Sequence, residues 1–366
     1  MKRSTNLINN IILFAITIGL VFVSVVVSNA NYNNSDIFLL IVYYICGAII
    51  FGFINTVVHE LGHVVAGKKN GFYITAVTIW FFRWVKKGGH FRFDLCRLGE
   101  EAGYTESIPT SPENMAKRYK SMSLGGIYAS LITTILSIGF IFTAGHVPIA
   151  LYSILSMALP ISAYFLFGTA LPMQNGGFKN DGGVVWDINK NTDSSKVACA
   201  ILSFQGELYQ GKTPSEVEEK LLFDLPQLPE DDINFALLLN AKYSYYLDKG
   251  DIENAKKVSD RLFTLIEDLP YAIAVQVKYD LLFNACTIDF NEDRADDLMY
   301  ELDKLLNAEN TATNLRIKLA YLLYVKKEKE YALDFYNKGV KMAGKNPILG
   351  LQKYEVKLFD GIKKDI

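Results

Sequence analysis

Apolar residues in the first half of the chain fall in unbroken runs rather than in alternation. Four of these runs, residues 11–27, 37–58, 122–144 and 149–171, are long enough to be membrane spans, since roughly 20 apolar residues in a helix cover the hydrocarbon core of a bilayer. After residue 188 the pattern changes, and charged and apolar positions mix at helical spacing. The pattern predicts a mainly α protein: a polytopic membrane helix bundle over residues 1–188, a linker over 189–230 and a soluble α-helical, repeat-like domain over 231–366. Between the second and third runs, residues 72–84 are rich in aromatic and β-branched side chains, Lys86-Lys87-Gly88-Gly89 reads as a turn, and residues 90–98 partly alternate. A small β-hairpin on the cytosolic side is expected there. Its Trp80, Phe81, Phe82 and Trp84 suit a membrane interface, and an exposed strand edge suits an unwound peptide added as a further strand. Anchoring and substrate binding both remain open for it.

Charge orients the bundle. Lys2 and Arg3 precede the first run, residues 29–36 carry no base, and residues 68–120 carry ten Lys or Arg. The positive-inside rule makes that basic loop cytoplasmic, puts the turn at residues 145–148 outside and leaves the C-terminal domain in the cytosol. A multi-pass protein of the cell membrane is expected. The first run is either a retained anchor or a signal peptide ending at Ser28-Asn29-Ala30.

Composition changes this picture little. Half of the residues are apolar, in keeping with a protein part membrane and part soluble. Lys and Arg number 37 against 39 Asp and Glu, a net charge of −2. With no basic stripe to displace counterions, nucleic acid is excluded as a partner. Cys46, Cys96, Cys199 and Cys286 form no Cys-x-x-Cys pair, so neither a thiolate zinc site nor a disulfide framework is expected.

The chemistry concentrates at His59-Glu60-Leu61-Gly62-His63. On a helix, two histidines four residues apart share one face and can ligate one zinc ion, with the glutamate between them placed as a general base. A helix starting near Ile37 reaches His59 after about 33 Å at a rise of ~1.5 Å per residue, close to the inner membrane face. The fourth run ends at that same face, so a third ligand is sought just beyond it. Asp181 is the candidate, in the glycine-rich stretch Asn175-Gly176-Gly177-Phe178-Lys179-Asn180-Asp181-Gly182-Gly183; a helix N-cap is the other use of an aspartate in such a turn. Glu100, Glu101 and Glu106 compete by spacing, but membrane context argues against them. His90 sits in the hairpin, and His146 lies on the opposite face.

Three elements of residues 37–188 resemble the site-2 protease family of intramembrane zinc metalloproteases. They are the His-Glu-x-x-His at a span end, Asp181-Gly182 after a span closing in Leu171-Pro172, and Ser123-Leu124-Gly125-Gly126-Ile127-Tyr128-Ala129-Ser130 opening the third span. The last is similar to the family's Gly-Pro-x-x-Asn helix, with Ile127 and Ser130 in place of proline and asparagine; Thr169 stands where an asparagine often precedes the Leu-Pro. The resemblance implies a Zn2+ ion held by His59, His63 and Asp181, Glu60 as catalytic base, and a transmembrane or membrane-proximal peptide in the lipid bilayer as substrate. A catalytically inactive relative acting as a membrane-tethered adaptor is the alternative.

The C-terminal half repeats helical hairpins, with Ala255, Ala295 and Ala332 spaced 40 and then 37 residues apart. Together with Tyr245, Gly250, Pro270 and Tyr336 this resembles the tetratricopeptide pattern, whose stacked hairpins imply a concave surface for a cytosolic protein partner. A helical domain with no partner beyond its own core fits the same spacing.

Overall fold

The computed structural model describes residues 3–32, 36–87, 89–96, 102–175 and 177–366. They divide into two compact units, Met1–Ile108 with Ala116–Ser195, and Pro109–Met115 with Lys196–Ile366.

The first unit carries four helical segments long and apolar enough to cross a membrane. Helix α1 (Arg3–Asn31) is followed by α2 (Ile37–Lys69), which Asp36 caps by accepting from the Phe38 and Leu39 amides. Helix α2 runs eleven residues past the expected end of its span, so the His-Glu-x-x-His sequence lies inside a continuous helix. Helix α3 (Met115–Ile138) ends in a 3-10 turn over Gly139–Thr143. The fourth segment is not one helix: α4 (Ile149–Ser156) and α5 (Ala158–Ala170) meet at a break at Met157. Pro160 accounts for it, since a proline has no N–H for the carbonyl four residues earlier. That carbonyl, Ser156 O, accepts from the Ser24 hydroxyl of α1 at 3.1 Å instead.

Large apolar side chains such as Ile41, Ile45 and Ile49 point outward, whereas Gly47, Ser153, Ser156 and Ser162 face the interior. Without a hydrophobic drive between helices in lipid, small residues that admit close backbones hold such a bundle together. A Cβ on Gly47 would stand 2.5 Å from Ile154 O.

The expected hairpin is a four-stranded antiparallel sheet, β1 (Phe72–Ile79), β2 (Phe82–Lys87), β3 (His90–Leu95) and β4 (Gly103–Pro109), in the order β3-β2-β1-β4. Residues 72–84 are not one strand, because Trp80 takes φ 55° and turns the chain, with its amide bonded to Ala102 O. Thr78 then pairs with Arg83 and Trp84 with Phe93. Trp80 packs edge-on against Phe53 and donates to the Thr56 hydroxyl, so the sheet lies along α2 beside the motif. After α5, strands β5 (Gln174–Asn175) and β6 (Phe178–Lys179) form a two-residue ladder leading into α6 (Asp181–Lys190).

The second unit is helical. Helices α7 (Asp193–Tyr209) and α8 (Lys220–Phe223) occupy residues expected as a linker. Three hairpins follow: α9 (Ile233–Lys249) with α10 (Ile252–Phe263), α11 (Tyr271–Thr287) with α12 (Glu292–Ala308), and α13 (Ala312–Tyr324) with α14 (Ala332–Ala343), before a final α15 (Leu349–Lys363). Ala255, Ala295 and Ala332 are fully buried, each on the second helix of its hairpin, where a larger side chain would hold the pair apart. Polar caps end and restart the helices: Gly250 at φ 81° closes α9, and Asp251 accepts from the Asn254 amide to open α10.

Candidate metal centre

One turn of α2 puts His59 and His63 on the same helix face, and both are buried. Their Nε2 atoms are 3.1 Å apart. Asp181 Oδ2 lies 3.2 Å from His59 Nε2 and 3.1 Å from His63 Nε2. Three ligands around a tetrahedral zinc ion at bond lengths of about 2.0–2.1 Å stand roughly 3.3 Å from one another, so the triangle has the size the ion requires. Among the described residues it is the one cluster of three or more His, Cys, Asp or Glu ligand atoms close enough to share a metal.

The far side of each ring explains why the Nε2 atoms converge. His63 Nδ1 stands 3.0 Å from Met122 O, and a carbonyl only accepts, so Nδ1 carries the proton and Nε2 presents a lone pair. His59 Nδ1 lies 2.9 Å from Ser130 Oγ, which can accept in the same way. Two imidazole lone pairs and a carboxylate oxygen then face one point, which is repulsive unless a cation takes it; the donor set fits a divalent metal. Failing that, an Nε2 must hold a proton. Burial raises the Asp181 carboxyl, and hydrogen bonds from His59 and His63 in that form outweigh it and hold the group below the usual carboxylate range.

Asp181 reaches the histidines because it is not the cap of its helix. Asn180 is the N-cap, and Asp181 is the first helical residue with its side chain free. The Asn180 side chain uses its full capacity, donating to Gly168 O and Leu171 O at 2.7 Å each and accepting from the Met173 and Gly183 amides at 2.9 Å. Gly182 is pressed against the end of α5, where a Cβ would overlap the Ala170 carbonyl. The glycine is required for close approach and not for a left-handed turn.

Glu60, also buried, points to the neighbouring space. Its Oε2 accepts from Thr105 Oγ1 of β4 at 2.5 Å, and Gly103 of the same strand covers Oε1 so closely that a Cβ there would sit 2.5 Å away. Helix α3 closes the opposite side. Gly126 lies against both imidazoles, and Gly125 packs on the Gly62 backbone and the Ala66 methyl of α2. Ser130 ends a chain of inward-facing polar groups: Asn55 donates to Ser162 Oγ at 3.0 Å, and the single hydroxyl proton of Thr133 is shared between Asn55 Oδ1 and the Ser130 carbonyl, each 2.9 Å away.

The structure thus brings His59, Glu60, His63 and Asp181 together. Glu106 is paired with Arg83 at 2.6 Å, away from the cluster, and Glu100 and Glu101 lie outside the described residues. His90 opens β3 and His146 follows the 3-10 turn, and neither joins the cluster. Thr105, Ser130 and Asn180 bond or position the candidate residues, and sequence reasoning missed these contacts. For Asn180 a signal existed, an asparagine immediately before a helix start. Thr105 had none, since threonine is an ordinary strand residue.

A family model described as Peptidase family M50 matches residues 46–342, most of the chain. No curated protein and no solved structure matches it.

Proposed function

The chain belongs to peptidase family M50, the site-2 protease family, and from that premise we propose that it is an intramembrane zinc metalloprotease. It hydrolyses a peptide bond in or near a transmembrane segment of a membrane protein or precursor peptide. One observation carries the reading: three ligand atoms within 3.2 Å of one another, with the buried carboxylate of Glu60 next to His59 in the chain.

His59, His63 and Asp181 would hold the ion. Bound there, zinc supplies Lewis acidity, polarising a scissile carbonyl and acidifying water. The remaining work falls to the chain. Glu60 takes the proton of the attacking water and returns it to the leaving amine as the C–N bond breaks. Thr105 donates to one Glu60 oxygen and leaves the other to do this. Ser130 and the Met122 carbonyl fix the ring orientations. Strand β4, an edge strand of the sheet, lies over Glu60 where an unwound substrate segment must pass. The basic loop between α2 and α3 supports a cytoplasmic active-site face, a multi-pass topology and a cytoplasmic C-terminal unit, whose hairpins are suited to a protein partner.

The test is metal content and cleavage of a co-expressed transmembrane substrate. Glu60→Gln keeps zinc and stops cleavage, whereas Asp181→Ala loses both. Wild-type protein without zinc, or cleavage surviving Glu60→Gln, would leave the adaptor reading in place of the protease.

A further inference from the structure

The loop that carries Asp181 is held from outside the matched family region. Helix α1 ends before residue 46, where that match begins, yet its cytosolic end is bonded to the loop. Asn6 pairs with the Gln174 backbone in both directions, Nδ2 donating to Gln174 O at 2.9 Å and Oδ1 accepting from the Gln174 amide at 3.1 Å. Asn9 Nδ2 donates to Pro172 O at 2.7 Å. An asparagine bonded this way completes a backbone segment as a neighbouring strand would. The next links run inward: Gln174 pairs with Lys179 in the two-residue ladder, Asn180 ties that ladder to Met173, and Asp181 follows.

Three more contacts fix α1 and the residue that follows it, Tyr32. Leu13 is buried and meets Gly168, Ser24 covers the Ser156 carbonyl that Pro160 leaves free, and Tyr32 OH donates to Val147 O at 2.7 Å. A helix that served only to target the chain would need none of these bonds, and Asn6 and Asn9, half-buried at a span end, spend their amide groups on this loop.

We infer that Asn6 and Asn9 are positioning residues for the third metal ligand, and that α1 is a permanent part of the metal-binding unit rather than a leader. The inference rests on the metalloprotease reading for what Asp181 does, but the clamp itself can be measured apart from it. Asn6 and Asn9 bond the backbone at Gln174 and Pro172 and not the side chains of His59, His63 or Asp181, so they act through the loop.

The experiment uses the full chain in nanodiscs, as wild type, Asn6→Ala, Asn9→Ala and, as control, Asn10→Ala, whose side chain, among the described residues, bonds the Asn6 carbonyl of its own helix and not the loop. Amide hydrogen exchange over residues 172–180 and zinc release to a chelator are followed together, and intact mass reports whether residues 3–31 remain. Exchange in 172–180, and zinc release, are expected to speed by about five- to tenfold in Asn9→Ala, which loses one such bond, and by at least as much in Asn6→Ala, which loses two. The control matches wild type, and the mass includes α1. Unchanged exchange in 172–180, or a mature protein lacking α1, overturns the inference. A wild type without zinc that still shows faster exchange in Asn6→Ala supports the clamp while ending the metalloprotease reading.

Discussion

Gly126→Ala separates metal binding from folding more sharply than replacing a ligand does. Gly126 lies inside α3 in helical conformation, so backbone strain gives no objection to alanine, and propensity alone favours the change by about 1 kcal/mol. The new methyl group, however, would stand 2.6 Å from His59 Cε1 and His63 Cε1 and closer still to His63 Nε2. Ordinary carbon contacts begin near ~3.5 Å, so each ring must retreat by about 0.9 Å. Both rings are tied on their far side, to Ser130 and to the Met122 carbonyl. Zinc sites tolerate ligand displacements of only about 0.2 Å.

The expected result is therefore a folded protein with zinc affinity lowered at least about 100-fold, on the scale of disturbing ligand orientation, and with no cleavage. Metal content, chelator competition and thermal unfolding of the full chain in detergent measure it. Gly62→Ala is the contrast. Its Cβ would meet the Gly125 carbonyl and stand 2.7 Å from Ala129 Cβ, atoms of the facing helix that cannot swing aside, so that variant loses the bundle as well as the metal. Stoichiometric zinc at wild-type affinity in Gly126→Ala would refute the placement of both imidazoles against α3.

Ser130→Ala removes the hydrogen bond that orients His59, and zinc affinity should fall about 10- to 100-fold with the fold intact, read by chelator competition. Thr105→Val frees the Glu60 carboxylate, lowering kcat about tenfold while zinc content and KM stay level, as steady-state kinetics would report. In the second unit Arg316 is buried against Glu355 at 2.8 Å; Glu355→Ala strands the guanidinium and should cost roughly 3–5 kcal/mol in denaturant melts, whereas pairing it with Arg316→Met restores part of the loss. Burial holds the Asp280 carboxyl up at about 7, with the Arg316 guanidinium pulling the other way. The folded chain then keeps a proton that the unfolded chain releases near pH ~4, so this group lowers stability as pH rises from about 4 to 7 and adds no slope above. Asp280→Asn should remove that slope and raise the melting temperature at pH 7.5 relative to wild type, the difference in melts at pH 4.5 and 7.5 being the measurement.

Residues fixed by local spacing were legible. The i, i+4 relation of His59 and His63 is a property of one helix, and nothing tertiary is needed to place them on one face. Asp181 was reachable because charge bias assigned the ends of the second and fourth spans to one side of the membrane, which reduced the search to a short segment after Leu171-Pro172. The sheet was half legible. Alternation marked the strands, but the turn at Trp80 depends on a positive φ for a tryptophan, stabilised by the Ala102 carbonyl and the Thr56 hydroxyl, and no turn residue announced it. The break in the fourth span had a visible cause in Pro160, although a proline among twenty apolar residues does not tell which helix will cover the freed carbonyl.

The contacts that hold the site lay beyond pattern for a physical reason. Ser130 and His59 are 71 residues apart, Thr105 and Glu60 45, and Asn6 and Gln174 168, so each pair is created by tertiary packing, of helix on helix, strand on helix or loop on helix. Hydrocarbon nevertheless narrows the possibilities, because a polar side chain in a span must find a partner or face the interior. Ser24, Asn55, Ser130, Thr133 and Ser162 all do both, and each bonds a residue of another helix directly or through one neighbour. Polar positions in the spans therefore mark the inward faces by residue type alone, while the partner of each is set by how closely glycines such as Gly47, Gly62 and Gly125 let the helices approach. On this argument the departures at Ile127 and Ser130 from the family's helix do not leave the site unsupported. Ser130 supplies a hydroxyl at the ring nitrogen of His59 that faces away from Asp181, and the Asn55–Thr133 pair holds the Ser130 turn from behind.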